Sequence, residues 1–242
     1  MNINLALNNG VKILSNGLIP NPYLDAEILM AKIINKDRNY VLLNSSKDLN
    51  KNDLKTFYGL IKKRSQGNPI AYLTNEKHFW DSKFFVTNDI LIPRPDSELI
   101  VENVLKLTNQ KNKINILDIG IGSGCILLSI LKERKNFYGT GIDVSKKCLK
   151  ISKINAMCLK VNSRLKLYKS NVDKFNLGKY DLIISNPPYI KKHTLKYLER
   201  DVADFEPILA LNGGLDGLSE IRKVIKKSSE LIKKNGKFIL EI

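Results

Sequence analysis

A tetrapeptide of unusual chemistry, Asn186-Pro187-Pro188-Tyr189, follows an apolar run at 180–185 that predicts a buried strand. Asn186 offers a side-chain carbonyl acceptor, and the backbone carbonyl of Pro187 offers a second. Because proline fixes φ, these acceptors would need no reordering when a ligand binds. Two rigid acceptors beside an aromatic ring suit a planar group that carries an NH2. The alternative is that the prolines only end the strand, since they cannot donate to a ladder.

A second motif, the loop LDIGIGSGC at 117–125, lies between a predicted strand and a predicted helix. Gly120, Gly122 and Gly124 allow a sharp turn and a close approach to a ligand that a Cβ would obstruct. Asp143 ends the next predicted strand, nineteen residues after Gly124, where an acid can accept hydrogen bonds from both hydroxyls of a ribose. The pair predicts a nucleoside cofactor, against the alternative of a tight turn without a ligand.

The spacing of the loop narrows the choice of cofactor. A dinucleotide site has the spacing G-x-G-x-x-G, whereas this loop has G-x-G-x-G, with the acid Asp118 before it and no basic partner. A cofactor without phosphate fits better, and S-adenosylmethionine is one. The loop resembles the first motif of the class I S-adenosylmethionine-dependent methyltransferases. That resemblance implies that Asp118 supports the methionine end, that Asp143 holds the ribose, and that Val172 lies near the adenine. The full cofactor set it implies is Asp118, Gly120, Ile121, Gly122, Ser123, Gly124, Asp143, Val172 and Asn186.

The elements that must position these residues alternate between strand and helix. Strands are predicted at 114–119, 137–143, 165–168, 180–185 and 237–242, and helices at 125–134, 146–159 and 218–234. Alternating helices and apolar strands predict a mainly parallel sheet covered on both faces, in a doubly wound, Rossmann-like α/β fold. Ligands of such sheets bind beyond the carboxyl ends of the strands, which is where both motifs lie.

The first part of the chain has a different pattern. Residues 1–75 have helical periodicity, with an apolar stripe at Leu24, Ile28, Leu29 and Ile33, and predict a small all-helical domain. Residues 76–92 alternate and are rich in aromatics, which predicts a β-hairpin linker that turns near Asp81-Ser82. Residues 93–242 form the predicted cofactor-binding catalytic domain. Because the last predicted strand has nothing after it, we expect the chain to be truncated, with C-terminal strands missing.

Composition excludes several classes of protein. The 242 residues are 43% hydrophobic with no apolar run long enough to span a membrane and no convincing signal peptide. Three cysteines without C-x-x-C spacing argue against a disulfide framework or zinc site and suit the cytoplasm. The histidines at 78 and 193 lack ligand spacing, so no metal is expected. The net charge of +16 is mostly spread lysine, which favours a solvated surface over a nucleic-acid site.

Five segments together carry a more specific resemblance: IPRPDSE (92–98), LDIGIGSGCI (117–126), NPPYI (186–190), FEPILAL (205–211) and GGLDGL (213–218). They resemble the peptide chain release factor glutamine N5-methyltransferases, the HemK/PrmC family, over essentially the whole chain. The resemblance implies methyl transfer from S-adenosylmethionine to the glutamine of the Gly-Gly-Gln loop of release factors. Catalysis would fall to Asn186, Pro187, Pro188 and Tyr189, and those residues with Arg94 would bind the substrate.

Two alternatives stay open at this point. NPPY motifs also occur in enzymes that methylate the exocyclic amine of adenine, so a nucleic-acid adenine methyltransferase is possible, although no target-recognition region is evident. The other is a catalytically weak protein with a cofactor fold that only binds its partners. The leading interpretation expects release factors as partners, proximity to the ribosome, and neither membrane nor specific DNA binding.

Overall fold

The computed structural model describes all 242 residues and divides by internal contacts into two compact units. One unit contains residues 1–75 and 199–205, and the other contains residues 76–198 and 206–242. The helices are α1 (Ile3–Asn16), α2 (Pro22–Ile33), α3 (Arg38–Leu43), α4 (Lys51–Ser65), α5 (Ile70–Thr74), α6 (Glu98–Leu107), α7 (Cys125–Glu133), α8 (Lys146–Cys158), α9 (Arg200–Ala203) and α10 (Ser219–Leu231). The strands are β1 (Glu76–Phe79), β2 (Ser82–Phe85), β3 (Ile114–Ile119), β4 (Phe137–Asp143), β5 (Leu165–Lys169), β6 (Tyr180–Ser185) and β7 (Ile232–Leu240).

The N-terminal unit is helical because three of its helices, α1, α3 and α4, have side-chain caps and because the unit has one apolar core. The side chain of Asn2 accepts from the Leu5 N–H at the start of α1, and Asn50 does the same for Asp53 at the start of α4. Between the helices lies a core that includes Leu14, Leu29, Met30, Phe57 and Ile61, all buried. Tertiary packing of these apolar faces stabilises helices that would be marginal alone.

The stripe predicted for α2 is only partly buried. Leu24 is exposed, and the buried face of the helix instead contains Asp25, Ala26, Leu29 and Met30. The apolar periodicity did not predict this buried face, because Asp25 is buried in an ion pair. Its Oδ2 lies 2.6 Å from Nε of the buried Arg64 on α4, and that partner compensates the charge.

The second unit is built on a five-stranded parallel sheet with the strand order β5-β4-β3-β6-β7. Alternate side chains of β3 enter different cores: Ile116 packs in a cluster with residues of α6, α7 and α8, whereas Leu117 packs in a cluster with residues of α10. The two faces of the sheet are therefore both covered. The predicted doubly wound, class I methyltransferase-like fold and the helical N-terminal region are confirmed.

The predicted boundaries of the last helix and strand were wrong. Helix α10 ends at Leu231, and β7 begins at Ile232, five residues before the predicted start at Lys237. Pairing with β6 jumps from Tyr180–Ile232 to Leu182–Lys237 across an irregularity that contains Asn235, whose φ is 65°. The strand is also a half-buried edge strand, where the apolar pattern predicted a buried one.

The hairpin exists, but its turn lies one residue earlier than predicted. Phe79 pairs with Ser82, so Trp80 and Asp81 form the turn, and Trp80 has a φ of 54°. The turn is fixed by long-range contacts, because the Trp80 N–H donates to Glu98 Oε1 at 2.8 Å. No helix of the protein is long and apolar enough to cross a membrane.

Candidate active site

The two motifs meet at one edge of the sheet because of the register of β3. Ile119, the last residue of β3, pairs with Ile142 on β4 and with Ser185 on β6. Gly120, Asp143 and Asn186 each come directly after, or at the end of, one of these strands. Sequence reasoning placed all three at the carboxyl edge, and the register brings them together at that edge.

The glycine loop requires glycine in its backbone. Gly120, Gly122 and Gly124 have φ values of 80°, 55° and 82°, a region that other residues rarely adopt. A Cβ at Gly120 would meet no protein atom within 4 Å, so open space lies beside this backbone. The loop is tied to β4 because the N–H groups of Gly120 and Ile121 both donate to the Ile142 carbonyl.

Asp118 is a buried carboxyl group without a protein partner. Its side chain is 2% exposed and takes part in no hydrogen bond or ion pair. Burial, and then the nearby charge of Asp143, raise the pKa of Asp118 from 3.8 to about 8. A buried acid without a partner is costly, and a cationic ligand group would offset that cost.

Asp143 anchors the loop as well as ending β4. Its Oδ2 accepts from the Gly122 N–H at 3.0 Å, and its Oδ1 accepts from the Ser145 N–H at 2.8 Å. Burial raises the pKa of Asp143, although these backbone donors oppose the shift. Each carboxylate oxygen has a further lone pair, so Asp143 can still accept from a ligand's hydroxyl groups.

Three other predicted cofactor residues face the protein rather than open space. The Ile121 side chain packs so closely on Gly141 that a Cβ there would lie 2.3 Å from Ile121 Cδ1. The buried Ser123 hydroxyl accepts from the Cys125 N–H at 3.2 Å. Val172 is 8% exposed within the cluster shared with α10. Any contact of Ile121 or Ser123 with a cofactor would therefore use the backbone, and the role of Val172 stays a prediction.

Sequence reasoning missed two buried polar residues on α8 that hold the glycine loop. The Ser152 hydroxyl donates to the Gly122 carbonyl at 2.7 Å. The Asn155 amide donates to the Ser123 carbonyl at 2.9 Å, and it also exchanges hydrogen bonds with both the N–H and the carbonyl of Phe85 on β2. Asn155 therefore links the hairpin to the loop. A lone polar residue on a helix face gives no sequence indication of such a role.

Asn186 has its amide held in one orientation. Its Nδ2 donates to Ser97 Oγ at 3.1 Å and to Glu241 Oε1 at 2.8 Å. Both hydrogens are thus engaged, and Oδ1 accepts nothing from the protein. The half-buried Asn186 therefore presents an oxygen that accepts no hydrogen bond from the protein, and its predicted role as an acceptor for the substrate stays a prediction. Ser97 lies in the IPRPDSE segment, but neither its contact nor that of Glu241 was foreseen.

The rest of the tetrapeptide is held by the GGLDGL segment. Pro187 is buried, Pro188 is half-buried and Tyr189 is 43% exposed, and burial raises the pKa of Tyr189. Ile190 exchanges backbone hydrogen bonds with Leu211 and Gly213. Gly217 has a φ of 81°, and a Cβ there would lie 2.5 Å from the Tyr189 carbonyl oxygen. The glycines of this segment thus allow two backbones to touch.

Arg94 lies in an ion pair within the protein. Its Nη2 is 2.6 Å from Oε1 of the buried Glu206, whose Oε2 accepts from the Ile92 N–H. This joins the IPRPDSE and FEPILAL segments and explains why both belong to one motif set. Arg94 stays one-third exposed, so its predicted contact with a substrate remains a prediction. No group of three or more His, Cys, Asp or Glu side chains is arranged to hold a metal ion.

This fold, with a glycine loop, a strand-end acid and an NPPY tetrapeptide at one sheet edge, defines an enzyme of the methyltransferase class. Residues 6–74 match the PrmC N-terminal domain family, and residues 95–239 match the methyltransferase small domain family. A Clostridium acetobutylicum protein named release factor glutamine methyltransferase is 35% identical over 90% of this chain and 78% of its own length. One of the same name from Buchnera aphidicola is 36% identical over all of this chain and 86% of its own. The chain belongs to the release factor glutamine methyltransferase family.

Two further matches are partial. A Rickettsia bellii protein named bifunctional methyltransferase is 34% identical over 98% of this chain, which spans 47% of that protein. Among solved structures, a ribosomal protein L11 methylase from Lactobacillus delbrueckii is 15% identical, with a TM-score of 0.43 over 62% of each chain. The family assignment rests on the sequence relatives and not on this structural match.

Proposed function

We propose that this protein transfers a methyl group from S-adenosylmethionine to the side-chain amide nitrogen of the glutamine in the Gly-Gly-Gln loop of peptide chain release factors. The observation that carries the proposal is the orientation of Asn186. Its oxygen is free while its NH2 is fully engaged, so it can receive an N–H group and cannot donate one. The names of the relatives, release factor glutamine methyltransferase, support a glutamine amide as the source of that N–H group.

The residues of the cofactor site fit S-adenosylmethionine. The open space beside Gly120 leaves room for a ligand against the loop backbone. Asp118 supplies a buried carboxyl group without a partner, which would ionise on binding and accept the ammonium group of the methionine end. Asp143 retains lone pairs for two ribose hydroxyls. When bound, this cofactor would supply a methyl group on a positively charged sulfur: as the N–CH3 bond forms the S–CH3 bond would break, a neutral thioether would leave, and the methylated nitrogen would lose one proton to water.

The residues of the tetrapeptide would prepare that nucleophile. An amide nitrogen is a poor nucleophile because its lone pair is delocalised. Asn186 Oδ1 and the Pro187 carbonyl would accept one hydrogen each and pull the nitrogen toward pyramidal geometry. The proline rings fix this pair of acceptors before the substrate arrives, so alignment supplies most of the rate. Tyr189, partly exposed, would stack on the planar amide.

The helical unit and the surroundings of the site follow from the same proposal. We assign residues 1–75 to holding the release factor, and residues 93–242 to catalysis, with the hairpin at 76–92 as the linker. A release-factor substrate would place the protein in the cytoplasm, near ribosomes that terminate translation. These assignments depend on the substrate and fall with it.

A methyl-transfer assay tests the proposal directly. Purified protein is offered labelled S-adenosylmethionine with either a release factor or adenine-containing DNA, and the modified position is located by mass spectrometry. We expect methylation of the Gly-Gly-Gln glutamine alone, and a release factor with Gln replaced by Ala at that position serves as the control. Label in the DNA alone would overturn the proposal in favour of an adenine methyltransferase.

The variant Asn186→Ala separates binding from chemistry. Without the acceptor oxygen we expect turnover to fall by at least ~100-fold, the cost typical of removing one preorganised polar group at a reacting centre. Cofactor affinity, measured by calorimetry, should stay within a few-fold because Asp118 and Asp143 are intact. A large loss of cofactor affinity would contradict the role given to Asn186.

A further inference from the structure

Packing alone does not explain why the carboxyl group of Glu241 lies against the side-chain amide of Asn186. Glu241 follows β7 directly, and its N–H donates to the Ser185 carbonyl, which continues the ladder between β6 and β7. The register thus places Glu241 beside Asn186. Its Oε1 receives the Asn186 amide at 2.8 Å, while its Oε2 is buried without any hydrogen-bond partner. A carboxylate that is left half unsatisfied is a poor device for stability.

The chemistry of the two acceptors on Asn186 differs. The Ser97 hydroxyl can accept or donate. Burial raises the pKa of Glu241, but a hydrogen bond from Ser97 to that carboxyl lowers it, so the orientation of the hydroxyl follows Glu241 and sets no preference of its own. An ionised carboxylate only accepts, so Glu241 rejects the flipped orientation, which would place Asn186 Oδ1 against its own oxygen. Glu241 is therefore the residue that fixes which end of the amide faces the substrate.

We propose that Glu241 is a positioning residue that holds Asn186 with its oxygen toward the substrate nitrogen and strengthens that oxygen as an acceptor. The strengthening follows from hydrogen-bond cooperativity: a charged acceptor on the NH2 shifts electron density toward Oδ1. This inference rests on the proposed function, because it needs Asn186 to receive the substrate's N–H. Burial also raises the pKa of Glu241, as expected for a carboxylate kept in the site rather than at the surface.

The test compares Glu241→Gln with two other variants. Glutamine keeps the size but loses the charge, so it can accept from Asn186 or, once flipped, donate to it. Glu102→Gln makes the same chemical change at a solvent-reaching ion pair with Lys106 and serves as the matched control. Ser97→Ala removes the acceptor that does not dictate orientation. All three are checked for cofactor affinity and for native NMR spectra.

For methylation of the release factor, we expect kcat to fall about tenfold in Glu241→Gln, which corresponds to replacing a charged hydrogen bond by a neutral one. KM should change less than threefold, since the amide contact is a small part of a protein–protein complex. Ser97→Ala should lower kcat less than Glu241→Gln does, and Glu102→Gln should leave kcat unchanged. A kcat within twofold of wild type for Glu241→Gln, or a larger loss for Ser97→Ala, would overturn the proposal.

A measurement without cofactor or substrate keeps this inference separate from the proposed function. The side-chain NH2 signals of Asn186 are assigned in the free protein by their loss in Asn186→Asp. Glu241→Gln should move the proton that faces Glu241 upfield, whereas Glu102→Gln should leave it in place. If wild type methylates no release factor, the proposed function fails, while the shift still reports whether Glu241 holds Asn186. An unchanged shift refutes the hold even in an active enzyme.

Discussion

Replacement of Asp118 by Asn should change how both stability and cofactor affinity depend on pH. Asp118 is 2% exposed, without a partner, and has a pKa of about 8 against 3.8 in the unfolded chain. The folded protein therefore binds one more proton than the unfolded chain between these two values. Because the folded pKa is the higher one, the free energy of unfolding falls as pH rises through the window from about 4 to 8.

The magnitude follows from 1.36 kcal/mol per unit of pKa. Between pH 5.5 and 7.5, ionisation of Asp118 should cost the free protein ~3 kcal/mol of stability. Asp118→Asn lacks this titration, so the difference between wild type and variant should change by that amount over the window. Urea unfolding at both pH values measures it. A difference that stays constant within ~0.5 kcal/mol would refute the idea that Asp118 is protonated at neutral pH.

Cofactor binding should depend on the same proton, the one carried by Asp118. A cationic group seated on Asp118 requires the ionised acid, so binding below pH 8 releases a proton. Affinity should then rise about tenfold per pH unit between pH 5.5 and 7.5, and level off near pH 8, where the ligand's α-amino group begins to lose its own charge. Calorimetry in buffers of different ionisation enthalpy counts the released proton. Asp118→Asn should bind more weakly at pH 8 and release none, and equal proton release by both proteins would refute the assignment.

Two other predictions concern the frame around the tetrapeptide. Gly217→Ala places a Cβ 2.5 Å from the Tyr189 carbonyl at a positive φ, so we expect a loss of ~1–3 kcal/mol in unfolding free energy and lower turnover. Gly59→Ala, in a helix with nothing within 4 Å of the new Cβ, should instead gain up to ~1 kcal/mol, and chemical denaturation of both variants checks the contrast. Glu206→Gln removes the charge that pairs with Arg94. We expect ~1–2 kcal/mol of destabilisation, seen as a lower urea midpoint, and an unchanged midpoint would mean that this ion pair contributes nothing.

The fold could be predicted from the sequence where local and tertiary preferences agree. Strands β3, β4 and β6 have the predicted ends, because each is a short and mostly buried segment that stops at a loop or turn. Helix α8 begins at Lys146, as predicted, and directly follows Ser145, whose hydroxyl accepts from the Cys148 N–H and caps the helix. In these elements the backbone preference, the cap and the burial all indicate the same boundary.

The prediction of helix ends and of buried faces failed where a residue lies in an environment that its type does not indicate. The lysines after Leu231 extended the apparent helix, but Asn235 adopts a left-handed conformation, and a Cβ at Gly236 would meet Ile232 at 2.6 Å. The strand already begins at Ile232, and this irregularity interrupts its pairing with β6 until the pairing resumes at Lys237. Leu24 was assigned to the core although the helix buries Asp25 with Arg64 instead. An ion pair between residues 39 apart leaves no periodic pattern.

The candidate site also has parts that could be found in the sequence and parts that could not. Its linear parts, the glycine loop and the tetrapeptide, could be found in the sequence because each is a run of adjacent residues, while their chemical roles stay predictions. The partners that orient them could not: Ser97 and Glu241 lie 89 and 55 residues from Asn186, and Glu206 lies 112 from Arg94. Such contacts depend on which strands are neighbours and in which register, and neither is a property of a single segment.

Once the register is known, however, the site follows from it. Ile119 pairs with Ser185, and Ser185 pairs with Leu240, so the next residue along each strand emerges at one edge: Gly120, Asn186 and Glu241. In a sheet with a side-chain period of two, a slip of β7 by one residue would replace Glu241 beside Asn186 by Leu240 or Ile242. Neither aliphatic side chain could receive the amide, and Asn186 would be free to turn its NH2 toward the substrate. The irregularity at 233–236 shifts the register between the Tyr180–Ile232 and Leu182–Lys237 pairs, so a structural feature remote from Asn186 contributes to which residue of the chain after β7 lies beside it.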